Sequence, residues 1–218
     1  MSIPPTPDPQ SGDPKRTYHH GNLKTALVTA GIDMLEEQGF AALSLRAIAA
    51  RVGVSHTAPK NHFGSLRGLL TAIATEGFVR HAAFMRAGLS DASGRKDRLR
   101  AAMAGYVRFA MEHKSLFLLM FSAQHCDFSD PELGLAAAGS YAVLADIATG
   151  LDWDKASAAD GQRRAEMMLW SLVHGYAQLA NAGLFEPARG RAGGQMLDIA
   201  SIMPDFGYLT EPASRDRD

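Results

Sequence analysis

The sequence predicts an all-α protein in two parts, a small three-helix head joined through a long fourth helix to a larger helical body. Three observations carry that reading. Apolar residues recur at three- and four-residue spacings along most of the chain, with no convincing two-residue alternation that would mark a strand. The stretch from Leu43 to Phe63 holds two short amphipathic segments separated by Gly53. Positive charge gathers at one end. From Lys15 to Arg67, seven cations (Lys15, Arg16, Lys24, Arg46, Arg51, Lys60, Arg67) face three carboxylates (Asp33, Glu36, Glu37), a local net of +4 in a chain whose total is −1. A basic quarter on a near-neutral protein suits phosphate binding at that end only.

Met1 to Pro14 carries four prolines before residue 10, two acids and no apolar core. It therefore lacks signal-peptide architecture, and a disordered arm is expected over residues 1–17. Lys15, Arg16, Tyr18, His19 and His20 follow. Lys15 and Arg16 either reach a neighbouring groove or phosphate or form a solvated lead-in. Leu23, Leu27, Ala30 and Met34 share one helical face, which predicts a first helix from about Asn22 to Gln38, ending at Gly39.

Leu43, Ile48, Ala49 and Val52 predict a short second helix, closed by Gly53, where a left-handed position favours glycine. Val54 supplies an apolar plug, and Ser55 is the expected N-cap of a third helix running to about His62. The solvent side of that helix carries His56, Thr57, Lys60 and Asn61. Small polar side chains at a helix start are what base edges in a major groove require, so the pair is read as a helix-turn-helix. A solvated helical hairpin with no partner is the competing reading. Gly64-Ser65 breaks and recaps the chain. Leu69, Leu70, Ile73, Gly77, Phe78, Ala82 and Met85 then continue as a long fourth helix from Ser65 to about Met85.

From about Lys96 onward, Leu99, Met103, Tyr106, Val107 and Ala110 give a fifth helix, and Ser115 to Ala123 a strongly apolar sixth. Asp130-Pro131 opens a seventh that reaches about Gly150. The eighth is expected over Arg163 to Leu184, ended by Glu186-Pro187, and the ninth over Gly194 to Met203, stopped by Pro204. The linker from Arg189 to Gly194 is glycine-rich and expected to be flexible. There is no internal repeat.

Most aromatic and large apolar residues of this half (Met103, Tyr106, Phe109, Phe117, Met120, Phe121, Tyr141, Trp170, Tyr176) are expected to be core. They occur together with His113, His125, His174 and Gln178, polar groups that need partners. Trp170, His174 and Gln178 are four residues apart in succession and so lie along one helical face. A mostly apolar cavity with a few convergent polar groups is the usual composition of a small-molecule site. The candidate contacts are Tyr106, Phe109, Phe121, Tyr141, Trp170, His174 and Gln178, between the fifth, seventh and eighth helices. Packing alone is the competing reading.

Other classes are disfavoured. With 218 residues and 46% hydrophobic content, the chain can bury a sizeable core. The single cysteine, Cys126, excludes an intrachain disulfide and suits a reducing cytoplasm. No apolar run approaches the roughly 20 residues of a membrane span. His125-Cys126-Asp127 places a nucleophile beside a base, but neighbours on a helix point apart. The histidines are scattered without the short ligand spacing of zinc sites, and neither a phosphate loop nor a nucleophile elbow is present. No enzyme activity, cofactor or metal is therefore expected. A non-specific nucleoid-type binder is disfavoured because only one end is basic.

The residues Tyr18-His19-His20-Gly21-Asn22-Leu23, Gly39 to Ala49, Val52-Gly53-Val54-Ser55-His56, His62-Phe63 and Leu69-Leu70 resemble the DNA-binding domain of TetR-family transcriptional regulators, a similarity running from about Tyr18 to Met85. Trp170-Ser171-Leu172-Val173-His174-Gly175 is similar to the motif of the WHG-type C-terminal domain found in one branch of that family. At three positions the chain departs from the pattern. Lys60 stands where relatives usually carry a phosphate-contacting Tyr. Leu66 and Arg67 stand where relatives usually have a basic residue followed by an acidic one, which would move a phosphate contact to Arg67.

The resemblance implies a cytoplasmic bacterial repressor that binds an inverted-repeat operator in double-stranded DNA and releases it when a small molecule occupies the C-terminal domain. Members with no known ligand keep a ligand-independent regulator open. It also implies a homodimer through the last two long helices, for which Gly175, Ala177, Ala180 and Gly183 are small enough to allow close approach or to serve packing within the chain. The expected DNA contacts are Ser44, Arg46, Ser55, His56, Thr57, Lys60, Asn61, His62 and Arg67. The implied organisation is an arm over 1–17, a head over 18–64, a connecting helix over 65–90, an effector-binding and dimerisation domain over 91–210 and a disordered tail over 211–218.

Overall fold

The computed structural model describes residues 20–152, 160–185, 198–202 and 207–208. Helix α1 spans His20–Gln38 and a 3-10 turn follows at Phe40–Ala42. Next come α2 (Leu45–Val52), α3 (Ala58–Phe63), α4 (Leu66–Arg86), α5 (Arg95–Glu112), α6 (Lys114–Met120), α7 (Pro131–Ala148), α8 (Gly161–Asn181) and a short α9 (Ile199–Ile202). Among the described residues the protein is all-helical apart from one two-residue antiparallel pair, β1 (Leu151–Asp152) with β2 (Gly207–Tyr208). No periodicity argument reaches a pair this short, because two residues carry no alternation. None of the described helices is long and apolar enough to cross a membrane.

The predicted faces are the buried ones. Leu27, Ala30 and Met34 of α1 pack with Ile48 of α2, and with Leu69, Leu70 and Ile73 of α4, in a core that continues into the body, and Ala49 of α2 is buried as well. Helix α2 starts at Leu45, two residues later than the apolar pattern begins. Ser44 caps it, its Oγ accepting from the Ala47 N–H at 3.1 Å, while Leu43 is buried in the preceding turn. At its other end Gly53 has φ 76°, with its N–H bonded to the Ala50 carbonyl and that of Val54 to the Ala49 carbonyl. That pairing satisfies the last carbonyls and turns the chain toward α3.

Helix α3 is shorter than predicted. Ser55 is not its N-cap; His56 and Thr57 form a turn, and the helix begins at Ala58 with Pro59 in its first turn. Ser55 Oγ instead lies 3.1 Å from Thr57 Oγ1. Helix α4 is the central rod. Its buried face (Leu69, Leu70, Ile73, Gly77, Phe78, His81, Ala82, Met85) packs against α1 in the head and against α5, α6 and α7 in the body.

Asp130 caps α7 by accepting from the Leu133 N–H at 3.0 Å, with Pro131 at the first helical position. Two expected ends are corrected. The apolar stretch extends α6 only to Met120, after which Phe121 and Ala123 belong to the turn-rich loop. Helix α8 closes at Asn181, ahead of Glu186-Pro187. Gly183 takes φ 70° there, and the Leu184 N–H returns to the Leu179 carbonyl. A left-handed glycine cap stops a helix as firmly as a later proline. The N-terminal arm, the linker from Arg189 to Gly194, the tail and the start of the predicted ninth helix lie outside the described residues.

Candidate functional site

Two regions hold the predicted site residues: the exposed face of α2 and α3, and a cavity in the body. On the head, Ser44, Arg46, Ser55, His56, Thr57, Lys60, Asn61 and His62 are all exposed. Of the head cations, Arg51 is held in a two-pronged ion pair with Glu37 (2.7 and 2.8 Å), and its guanidinium holds the Glu37 carboxyl below the usual carboxylate range. Lys24 is paired with Glu132 of α7 at 3.0 Å. The Arg67 guanidinium donates to the Cys126 carbonyl at 3.0 Å, which commits it to the loop between α6 and α7. Arg46 and Lys60 thus remain as the cations of this face with no hydrogen-bond or ion-pair partner among the described residues.

The cavity has a volume of about 320 Å³. Helix α4 contributes Phe78, His81 and Met85, α5 contributes Tyr106, and the loop after α6 contributes Phe121 and Phe128. Helix α7 adds Ser140, Tyr141 and Leu144, and α8 adds Trp170. Four predicted contacts (Tyr106, Phe121, Tyr141, Trp170) line it, and three do not. Phe109 is fully buried beside it, edge-on to His81 and Phe84. His174 stands behind the wall, its Nδ1 2.8 Å from Tyr106 Oη, and Gln178 Nε2 lies 3.3 Å from its other nitrogen. Both therefore support Tyr106 rather than face the space. Two further histidines expected nearby are elsewhere. His113 packs on Phe84 and Phe109, and His125 bonds Ser122 at 2.8 Å while its ring meets Phe40 of the head.

Sequence reasoning missed the α4 wall because Phe78 and Met85 read as ordinary core of a connecting helix. It also missed His81, a histidine on an otherwise apolar helical face, which was the available signal. His81 is 2% exposed, its Nδ1 lies 2.7 Å from Ser140 Oγ, and its Nε2 is a buried atom with no hydrogen-bond partner. Burial, with a smaller contribution from the nearby His174, lowers its pKa to about 3. The ring is neutral under ordinary conditions. Burial likewise raises the Tyr106 phenol and lowers His174.

The cavity is tied to the head through its own wall. The loop that bears Phe121 and Phe128 receives the Arg67 bond at Cys126, and the Asp127 N–H donates to Thr71 Oγ1 at 2.9 Å. Arg67 and Thr71 form the first turns of α4, next to α3. A second tie runs from Glu36 of α1, whose carboxylate accepts the Ser115 and Leu116 N–H groups at the start of α6 (3.4 and 3.0 Å). Cys126 itself is no nucleophile. Its thiol is fully buried, faces the Leu119 carbonyl at 3.4 Å, and burial pushes it up to about 11. No cluster of metal-ligating side chains occurs among the described residues.

Comparison with known proteins agrees with this architecture. A model of the bacterial regulatory proteins of the tetR family matches residues 27–73, and one of the tetracyclin repressor-like C-terminal domain matches residues 99–198. A solved protein of unknown function from Rhodococcus sp. RHA1 is 30% identical, with a TM-score of 0.66, covering 86% of this chain and 93% of that one. A TetR transcriptional regulator from the same organism shares the fold at 16% identity, with a TM-score of 0.58, covering 84% and 94%. No curated protein gives a significant sequence match.

Proposed function

The chain belongs to the TetR family and is a DNA-binding transcriptional regulator; on that premise we propose that it is a homodimeric repressor that releases an inverted-repeat operator when a small molecule fills the body cavity. The observation that carries this reading is the position of the cavity on α4, the same helix whose first turns pack against α3. A ligand that displaces Phe121, Phe128 or the α4 wall acts on the loop held by Arg67 and Thr71, and through it on the angle of the head. Ligand and DNA then compete through one conformational equilibrium, so each weakens the other by the same factor, commonly about 5–150-fold. Arg46 and Lys60 meet phosphates, and His56, Thr57 and Asn61 meet base edges. Such a regulator acts on cytoplasmic DNA.

The test combines selection and release. Selection from random DNA is expected to return an inverted repeat, protected at both half-sites. A compound found by thermal shift should then lower operator affinity, and Trp170→Ala should blunt that response while leaving ligand-free DNA binding intact. A compound seated in the cavity that leaves operator affinity unchanged would overturn the effector role.

Dimerisation is proposed on the outward face of α8. Met167 and Leu179 are 46% and 44% exposed, and a side chain added at Gly175, which lies between them, would meet nothing among the described residues. Ala177 is fully buried, so it serves packing within the chain rather than approach of a partner. The second helix expected in the interface lies largely outside the described residues. Met167→Glu with Leu179→Glu should yield a monomer by sedimentation and lower operator affinity about 100-fold or more, since the second head no longer benefits from being tethered to the first. A variant that sediments as a dimer would place the interface elsewhere.

A further inference from the structure

Resting on the reading of the cavity as an effector site, we propose that its ligand is an uncharged two-ring molecule whose enclosed part is hydrocarbon and forms no hydrogen bond with the protein.

The size follows from the volume. An apolar cavity of about 150 Å³ takes one benzene ring, and this one, at about 320 Å³, has room for two. Its wall runs from buried to exposed. Met85 is only 1% exposed and marks the deep end, whereas Phe128 and Ala138 are exposed and mark the mouth.

The absence of a hydrogen bond follows from the polar groups of the wall, which are already committed. Five lining side chains carry one: His81, Tyr106, Ser140, Tyr141 and Trp170. The Tyr106 hydroxyl lies 2.8 Å from His174 Nδ1, and the Trp170 indole, whose nitrogen can only donate, acts on that same hydroxyl. The Ser140 hydroxyl lies 2.7 Å from His81 Nδ1. The other nitrogen of His81 is enclosed by the protein and presents next to no surface to a ligand. Tyr141 donates to Glu166 at 2.8 Å. What faces the space is almost wholly carbon. A polar atom placed there would give up its water and gain no partner.

The absence of charge follows from the same wall. Among the described residues, no Asp, Glu, Lys or Arg lines it. Glu166, the carboxylate bonded to Tyr141, has both oxygens taken, the second by Gln162 Nε2 at 2.8 Å. An ion of either sign would shed its hydration with no counter-charge to replace it, and the attraction of aromatic faces for a cation is smaller than that loss.

The test uses four probes built on one skeleton, with the full chain: diphenylmethane, benzophenone, diphenylacetate and benzhydryltrimethylammonium. With protein titrated into dissolved probe, calorimetry is expected to show diphenylmethane binding about tenfold tighter than benzophenone, the effect of burying a carbonyl without a donor. Neither ion should bind measurably. In the wild-type protein, the ring protons of diphenylmethane should show nuclear Overhauser contacts to the Met85 methyl, which places the probe at the deep end without any variant. Ala137→Leu, which adds bulk to the α7 wall, should weaken diphenylmethane by about tenfold. Benzophenone binding as tightly as the hydrocarbon, measurable binding of either ion, no binding of any probe, or no contact with Met85 would each overturn the inference. So would an unchanged affinity in Ala137→Leu. Failure of the effector reading is separate: diphenylmethane would then bind with the expected preference and leave operator affinity untouched.

Discussion

Lowering the pH from 6 to 4 is expected to cost this protein about 2–3 kcal/mol of folding stability through His81 alone. In the folded chain burial holds this imidazole to a pKa of about 3. In the unfolded chain it titrates near the ordinary value of about 6.5. Between those values the unfolded chain binds a proton that the folded chain refuses. The stability is therefore complete above the unfolded pKa and falls as pH drops toward the folded one, by about 1.4 kcal/mol per pH unit. The groups around the ring, Tyr106, Phe109, Phe117, Ser140 and His174, include no carboxylate that would hold an imidazolium. His174, also lowered by burial, acts in the same direction. Urea unfolding across a pH series checks this, with His81→Phe as the control that flattens the acid limb by the stated amount. An unchanged limb in that variant would mean that the ring is hydrated and charged in the folded protein.

On the head, Arg46→Ala with Lys60→Ala should abolish most operator binding. A dimer carrying both changes loses four phosphate contacts. The slope of log affinity against log salt should then fall by about one for each contact, and low-salt affinity by about a hundredfold or more. The loss should be uniform across DNA sequences. Thr57→Ala, by contrast, should cost about 1–3 kcal/mol and relax preference at one base position. Arg51→Ala supplies the comparison. That cation is already spent on Glu37, so its removal should leave the salt slope nearly unchanged. If Arg51→Ala lowered the slope as much as Lys60→Ala, the ion pair would not persist on DNA.

Much of this molecule was legible from local pattern. The buried faces of α1, α2 and α4 coincide with their apolar spacing, Gly53 closes α2, and Asp130-Pro131 opens α7. Each depends on neighbours within one turn, and such interactions are written in consecutive residues. Where local signals competed, the nearer one prevailed. Gly183 ended α8 before Glu186-Pro187, and Thr57-Ala58-Pro59 began α3 after the expected cap at Ser55.

What the tertiary structure decided is which polar groups are satisfied, and by what. Arg51 and Arg67 look like free cations in sequence. In the fold one meets Glu37, fourteen residues away, and the other a carbonyl fifty-nine residues away. His174 looked like a ligand contact because it shares a face with Trp170, yet in the fold it is bonded to Tyr106 and does not line the cavity. His81 drew no reading from its position on α4, and only the fold shows that α7 delivers Ser140 to its Nδ1 while its buried Nε2 is left unpaired. The sequence alone determined the helices, their faces and the basic end, because helix formation and amphipathicity are short-range. The cavity is long-range, set by where four helices and a loop converge, and no spacing within any single helix encodes that meeting.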